Sequence, residues 1–216
     1  MKNVRVLYKK TDTMKFVSHL DMTRVMTRLL RKSGMDFWYT EGFNKHLYIT
    51  FALPLSLGFE SEYEILDFRL LNDDADLSKI PEKLNALSPK GIEFYDCFEP
   101  QDRLGDVAFA KYEIFFDDNC SLFNDLSEFL SKNEIICQKK TKKGDIKTFN
   151  FKEKIQSLQI ADTVFGTKIL LTLPAGSVDN VNPELLLNTY FETAKEYYPY
   201  SIIRLTVLNK EKKPFR

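Results

Sequence analysis

Two histidines and a run of arginines carry the chemistry that this sequence offers. His19 stands in "FVSHLDMTRVMTRLLRKSG", just before a stretch in which Arg24, Arg28 and Arg31 recur at i, i+4 and i+7. On a helix that spacing forms one stripe, flanked by Lys32. Guanidinium groups in such a stripe can grip phosphates or carboxylates through paired hydrogen bonds. His46 closes "EGFNKH", which gathers Glu41, Asn44 and His46 within six residues, with Gly42 to turn the chain. Further on, "PLSLGFESEYE" offers Ser61 and the carboxylates Glu60, Glu62 and Glu64. Glu62 and Glu64 fall on one strand face and Asp67 on the other. Paired carboxylates can serve as acid and base, but here the expectation is salt bridges to the helix arginines.

The elements that must hold these residues are legible from pattern. "VRVLYKK" alternates as a strand does. Ser18 is placed as an N-cap with Asp21 three residues on, and Met22, Val25, Met26, Leu29 and Leu30 mark the apolar stripe of a helix ended by Gly34. At its first turn, the free N–H groups favour an anion beside His19. "DFWYTE", "LYITFAL" and "EYEILDFRLL" read as extended, "DADLSKIPEKLNAL" as a helix capped by Asp76 and split near Pro81, and "GIEFYDCFE" as a strand. After the connector "PQDRLGDVAFA" the order recurs, with an additional segment near Ile155–Val164 and a helix led by Pro183. The βαββαβ order predicts an α+β protein of tandem ferredoxin-like units, with antiparallel sheets covered by helices on one face. The expected domains are 1–104, which holds the histidine and carboxylate stretches, and 105–216.

Composition narrows the function classes. Across 216 residues the formal charge is zero, with 44% hydrophobic and 29% charged residues, so a packed globular chain is expected. The charge is uneven. Residues 1–50 hold ten Lys/Arg and four Asp/Glu, residues 60–108 five and thirteen, and residues 134–154 seven and three. A basic face for an anionic partner can hide in such a total, and "KKTKKGDIK" adds a lysine-rich segment. No apolar run nears the roughly 20 residues that span a bilayer, and a cytoplasmic protein with no membrane role is expected. Cys97, Cys120 and Cys137 fit no metal spacing and read as reduced thiols; no metal and no cofactor is expected. The Gly-rich phosphate loop, GxGxxG, the nucleophile elbow and HExxH do not occur.

Read together, the three stretches resemble the bacterial radical-SAM-linked family, a domain of unknown function. Its pattern has Phe-Ile/Val-Ser-His-Leu-Asp and an arginine helix, then Ser/Thr-Glu-Gly-Phe-Asn-Pro-His-Pro, then Pro-Leu-x-x-Gly-x-x-Ser-x-x-Glu. Ser18, His19, Leu20, Asp21 and Arg24 match the first block, Glu41, Gly42, Phe43, Asn44 and His46 the second, and Pro54, Leu55, Gly58, Ser61 and Glu64 the third. Lys45 and Leu47 replace the two prolines, which implies a looser loop. The resemblance implies a domain fused to, or encoded beside, a radical SAM protein, in a setting of RNA processing. The chain lacks CxxxCxxC, so it would be the partner and not the holder of the cluster.

The leading expectation is therefore an accessory module that binds RNA, or presents a substrate, for a radical SAM partner in RNA modification or processing. The ligand-binding candidates are Ser18, His19, Asp21, Arg24, Arg28, Arg31, Glu41, Asn44, His46, Ser61 and Glu64. One alternative is a metal-independent endoribonuclease using His19 or His46, which tandem ferredoxin-like units resemble at the level of fold. Another is a structural adaptor that binds no RNA.

Overall fold

The computed structural model describes residues 1–117, 122–140 and 144–216. The expected helix start at Cys120 and Ser121, and Thr141, Lys142 and Lys143 of the lysine-rich segment, lie outside them. In chain order come β1 (Lys2–Lys10), α1 (His19–Lys32), β2 (Ile49–Phe51), β3 (Glu60–Leu70), α2 (Ile80–Asn85), β4 (Ile92–Phe98) and β5 (Val107–Phe116). Then follow α3 (Leu122–Ser131), β6 (Ile136–Lys140), β7 (Ile146–Asn150), β8 (Ser157–Thr163), β9 (Gly166–Pro174), α4 (Glu184–Ala194) and β10 (Ser201–Asn209). The protein is thus mixed α+β, with antiparallel strands and, among the described residues, four α-helices. None of these helices is long and apolar enough to cross a membrane.

Two compact units divide the chain. One is Met1–Val107 with Arg204–Arg216, the other Ala108–Ile203. The final segment thus counts with the first unit, whereas the sequence reading gave all of 105–216 to a second domain. Nor is "PQDRLGDVAFA" all connector, since β5 already begins at Val107.

In the first unit β1 lies between β3 and β4, antiparallel to both, and β2 pairs antiparallel with β3. Alternation along β1 sends Val4, Val6 and Tyr8 to the face that packs on Met22, Met26, Leu29 and Leu30 of α1 and Leu84 of α2. Leu7 faces the other way and packs in a smaller cluster with Ile65, Val207 and Phe215. Gly34, in the left-handed region at φ 67°, ends α1 as its position implied. Gly91, at φ 90°, allows its carbonyl to accept from the Thr11 N–H at 2.9 Å; a Cβ there would lie 2.5 Å from the Thr11 oxygen. Pro81 does divide its helix: a 3-10 turn spans Leu77–Lys79, and Asp76 caps it through the Ser78 N–H at 3.1 Å.

In the second unit β9 lies between β5 and β8, antiparallel to both. β6 and β7 form a separate two-stranded hairpin. Ile114, Phe116, Leu126, Phe129, Ile169, Leu171, Leu187 and Tyr190 are buried there.

The first unit buries two ion pairs. Arg204, 1% exposed, donates through Nη2 to Glu64 Oε1, and also to the Leu53 carbonyl at 2.9 Å and the Pro54 carbonyl at 3.4 Å. Arg5, equally buried, holds Asp67 in a two-pronged grip, with Nε and Nη2 each 2.7 Å from a carboxylate oxygen, and its guanidinium lies 4.5 Å from the Phe215 ring centre. Glu62 pairs at the surface with Lys9 at 2.9 Å. The expected bridges from these carboxylates to the helix arginines are therefore not formed. Closer cations, on neighbouring strands of the same unit, take them first.

Breaking the buried pair from one side leaves the other charge stranded. Glu64→Ala is expected to destabilise the protein by about 3–5 kcal/mol in urea unfolding, and Glu64→Leu combined with Arg204→Met to recover most of that loss.

Candidate functional site

The outer face of α1 is assembled by its own cap. Ser18 is extended, at φ −64° and ψ 160°, and its Oγ accepts from the Asp21 N–H at 3.2 Å. The same hydroxyl donates to Asp21 Oδ2 at 2.8 Å, and Asp21 Oδ1 accepts from Arg24 Nη1 at 2.8 Å. The Ser18 hydroxyl, then Arg24, hold the Asp21 carboxyl below the usual carboxylate range. Arg24 is thereby tethered at the first turn. Arg28 is exposed and has no ion pair among the described residues. The Arg31 guanidinium sits 5.8 Å from the Tyr39 ring centre, a cation–π approach that links the helix to the next loop.

That loop is closed by hydrogen bonds across its neck. The Thr40 N–H donates to the His46 carbonyl at 2.8 Å, and the His46 N–H to Thr40 Oγ1 at 3.1 Å. His46 Nδ1 lies 3.0 Å from Thr40 Oγ1 and 3.2 Å from the Asn44 carbonyl. A carbonyl can only accept, so meeting both contacts puts the hydrogen on Nδ1 and leaves Nε2 as the free nitrogen. The side chains of Glu41, Phe43 and Asn44 are exposed. Leu47 is 3% exposed and packs in the core, so it anchors the loop where the resembled family favours proline.

The third stretch docks against the approach to α1. The Gly58 N–H donates to the Lys15 carbonyl at 2.9 Å, and Lys15 Nζ reaches Glu60 at 3.0 Å. Lys10, buried among the strands, donates from Nζ to the Val17 carbonyl at 3.0 Å. Burial, and then Arg204, push its ammonium below the usual lysine range, against the opposing pull of Glu64. His19 is exposed, with its ring edge-on to Phe51 at 5.0 Å.

The structure therefore brings Ser18, Asp21 and Arg24 together, and joins α1 to the chain leading into the histidine loop through Arg31–Tyr39 and to β2 through His19–Phe51. The two imidazoles do not touch. Ser61 and Glu64 stand apart from this surface. Ser61 is fully buried and donates to the Arg204 carbonyl at 3.4 Å, and Glu64 is held by the Arg204 side chain. Both are buried and tie the strands of the first unit together. Sequence reasoning missed Arg5, Lys10 and Arg204. Their signal was a cation inside an apolar alternating run, "VRVLY" and "SIIRLTV", which only a partner can make tolerable.

The cap and the stripe should separate in stability measurements. Ser18→Ala is expected to cost about 1 kcal/mol by thermal or urea unfolding. Arg28→Ala should stay within about 0.5 kcal/mol of the parent. The benefit of the charged Asp21 is present above the ordinary carboxylate pKa and fades as acid protonates it, so the Ser18→Ala deficit should narrow as pH falls.

Comparison with known proteins adds a family. No curated protein matches the chain. Among solved structures, one titled "putative glycine cleavage system transcriptional repressor" is 11% identical, covering 94% of this chain and 98% of that one, with a TM-score of 0.27. An unknown protein from Galdieria sulphuraria is 10% identical over 94% and 98%, with a TM-score of 0.29. A family profile described as an uncharacterized protein conserved in bacteria, DUF2344, matches residues 3–183. That span takes in the α1 face, the histidine loop and the buried pair's Glu64, and the chain belongs to this family.

Proposed function

We propose that this chain is an accessory module that binds RNA and presents it to a radical SAM partner protein in the cytoplasm. The observation that carries the reading is the unabsorbed cationic face of α1. Arg28 and Lys32 are exposed without ion-pair partners among the described residues, while the sheet carboxylates that could have neutralised them are held by Lys15, Lys9, Arg204 and Arg5. Such a face suits phosphates, and Phe43 and His46, exposed in the loop that follows α1, suit unstacked bases.

The fold supports the same reading. β4, β1 and β3 are neighbours in that order and the short β2 also pairs with β3, and we read these four strands with α1 and α2 as a βαββαβ ferredoxin-like unit. We read the order β5-α3-β8-β9-α4-β10 as another, with the β6–β7 hairpin inserted after α3, although of β10 only Ser201–Ile203 count with the second unit. The radical SAM partner rests on the sequence resemblance alone.

Anisotropy of a labelled RNA over a salt series tests the reading. Arg28→Ala should weaken binding and reduce the slope of log K against log salt by about one unit, with an unchanged melting temperature. Equal RNA affinity of parent and variant at every salt concentration would remove α1 from the interface. Mass spectrometry of proteins copurified with the tagged chain should find a radical SAM protein; its absence would sink the partner assignment.

A further inference from the structure

The β6–β7 hairpin carries a second cationic surface, in the other unit and built differently. Antiparallel pairing sets Lys139 directly opposite Lys147, and Cys137 opposite Phe149. Paired residues share a face. At the Cys137 end that face is buried: the thiol accepts from Thr189 Oγ1 at 3.1 Å on α4. At the lysine end it opens into a groove of about 340 Å3, walled on the far side by Asp179 and Asn180.

Charge in this groove is unbalanced. Lys154 is matched by Asp179 at 2.8 Å. Lys139 donates to the Asn180 carbonyl at 2.9 Å, which fixes its position without cancelling its charge and leaves two N–H donors free. Lys147 is exposed with no ion-pair partner among the described residues. Like charges directly opposite on two strands destabilise the pair, and an anion between them relieves that repulsion. Beside the lysines lies Phe149, half-buried, its ring stacked at 6.3 Å on fully buried Phe151. The ring lines the groove from a fixed position.

The geometry points to a nucleotide-binding site in this groove, with the base stacked on Phe149 and a phosphate held by Lys139 and Lys147. An aromatic platform beside paired cations meets both halves of a nucleotide, and the volume falls in the range of small-ligand sites. The nucleotide could be free or part of a single strand of RNA. The site shares no residue with the α1 face and stands or falls separately from it.

The test uses the full chain, a labelled ten-nucleotide uridine RNA followed by anisotropy, and UMP followed by calorimetry. Phe149→Leu should weaken binding of the responding probe roughly tenfold. Lys147→Ala should lower the salt slope for the RNA by about one unit without lowering the melting temperature, since it removes the like-charge pair. A response of UMP by itself identifies a free nucleotide, and a response of the RNA alone identifies a strand. Loss of RNA affinity in Arg28→Ala, with both groove variants unaffected, would overturn the groove site while leaving the α1 reading intact. No binding of either probe by the parent protein would overturn it as well.

Discussion

The buried contact between Glu64 and Arg204 is the constraint on which the first unit depends. Glu64 comes from β3 and Arg204 from β10, 140 positions later, and both are almost wholly removed from water. An ion taken out of water is costly unless its partners are close and its remaining donors are satisfied. Arg204 offsets part of that cost by also donating to the Leu53 and Pro54 carbonyls. One guanidinium therefore fixes β3, the stretch before "LSLGFES" and the returning C-terminal segment. Lys10 extends the cluster to the Val17 carbonyl, next to the cap of α1. Tyr8 completes it, with burial and then Glu64 raising its phenol well above the usual tyrosine range. The helix that carries the exposed arginines is thus aimed by charges that never reach the surface.

This internal pairing decides what the surface can do. Four acidic residues on β3 could have balanced the α1 arginines, and each is matched by another cation: Glu60 by Lys15, Glu62 by Lys9, Glu64 by Arg204, Asp67 by Arg5. A neutral chain thereby keeps a cationic helix face. Net charge alone hid this, because the balance is struck with cations outside α1.

What could be read in advance follows from how local each determinant is. α1 was legible in full, since its cap, apolar stripe and terminating Gly34 all lie within 17 residues. The Pro81 break and the Asp76 cap were legible for the same reason. The burial of Ser61 and Glu64 against Arg204 was not legible, because a polar residue in an apolar strand looks alike whether a ligand or Arg204 awaits it. The division of the chain was misplaced because the return of Arg204–Arg216 to the first unit depends on contacts more than 100 positions apart. The loop around His46 was expected to loosen without its prolines. Instead the Thr40–His46 hydrogen bonds and buried Leu47 close it, two devices that a proline pattern does not encode.

The same geometry weighs against the histidines as an acid–base pair. A catalytic imidazole is commonly oriented by a carboxylate, and two that share a reaction must both reach the same bound substrate. His46 is oriented by a hydroxyl and a peptide carbonyl and not by a carboxylate. His19 has only the edge contact with Phe51, and its ring does not meet that of His46. Around them α1 presents Arg28 and Lys32, exposed and without ion-pair partners among the described residues, which are contacts for an anion. In the proposed function such contacts hold the RNA, and the radical SAM partner supplies the chemistry.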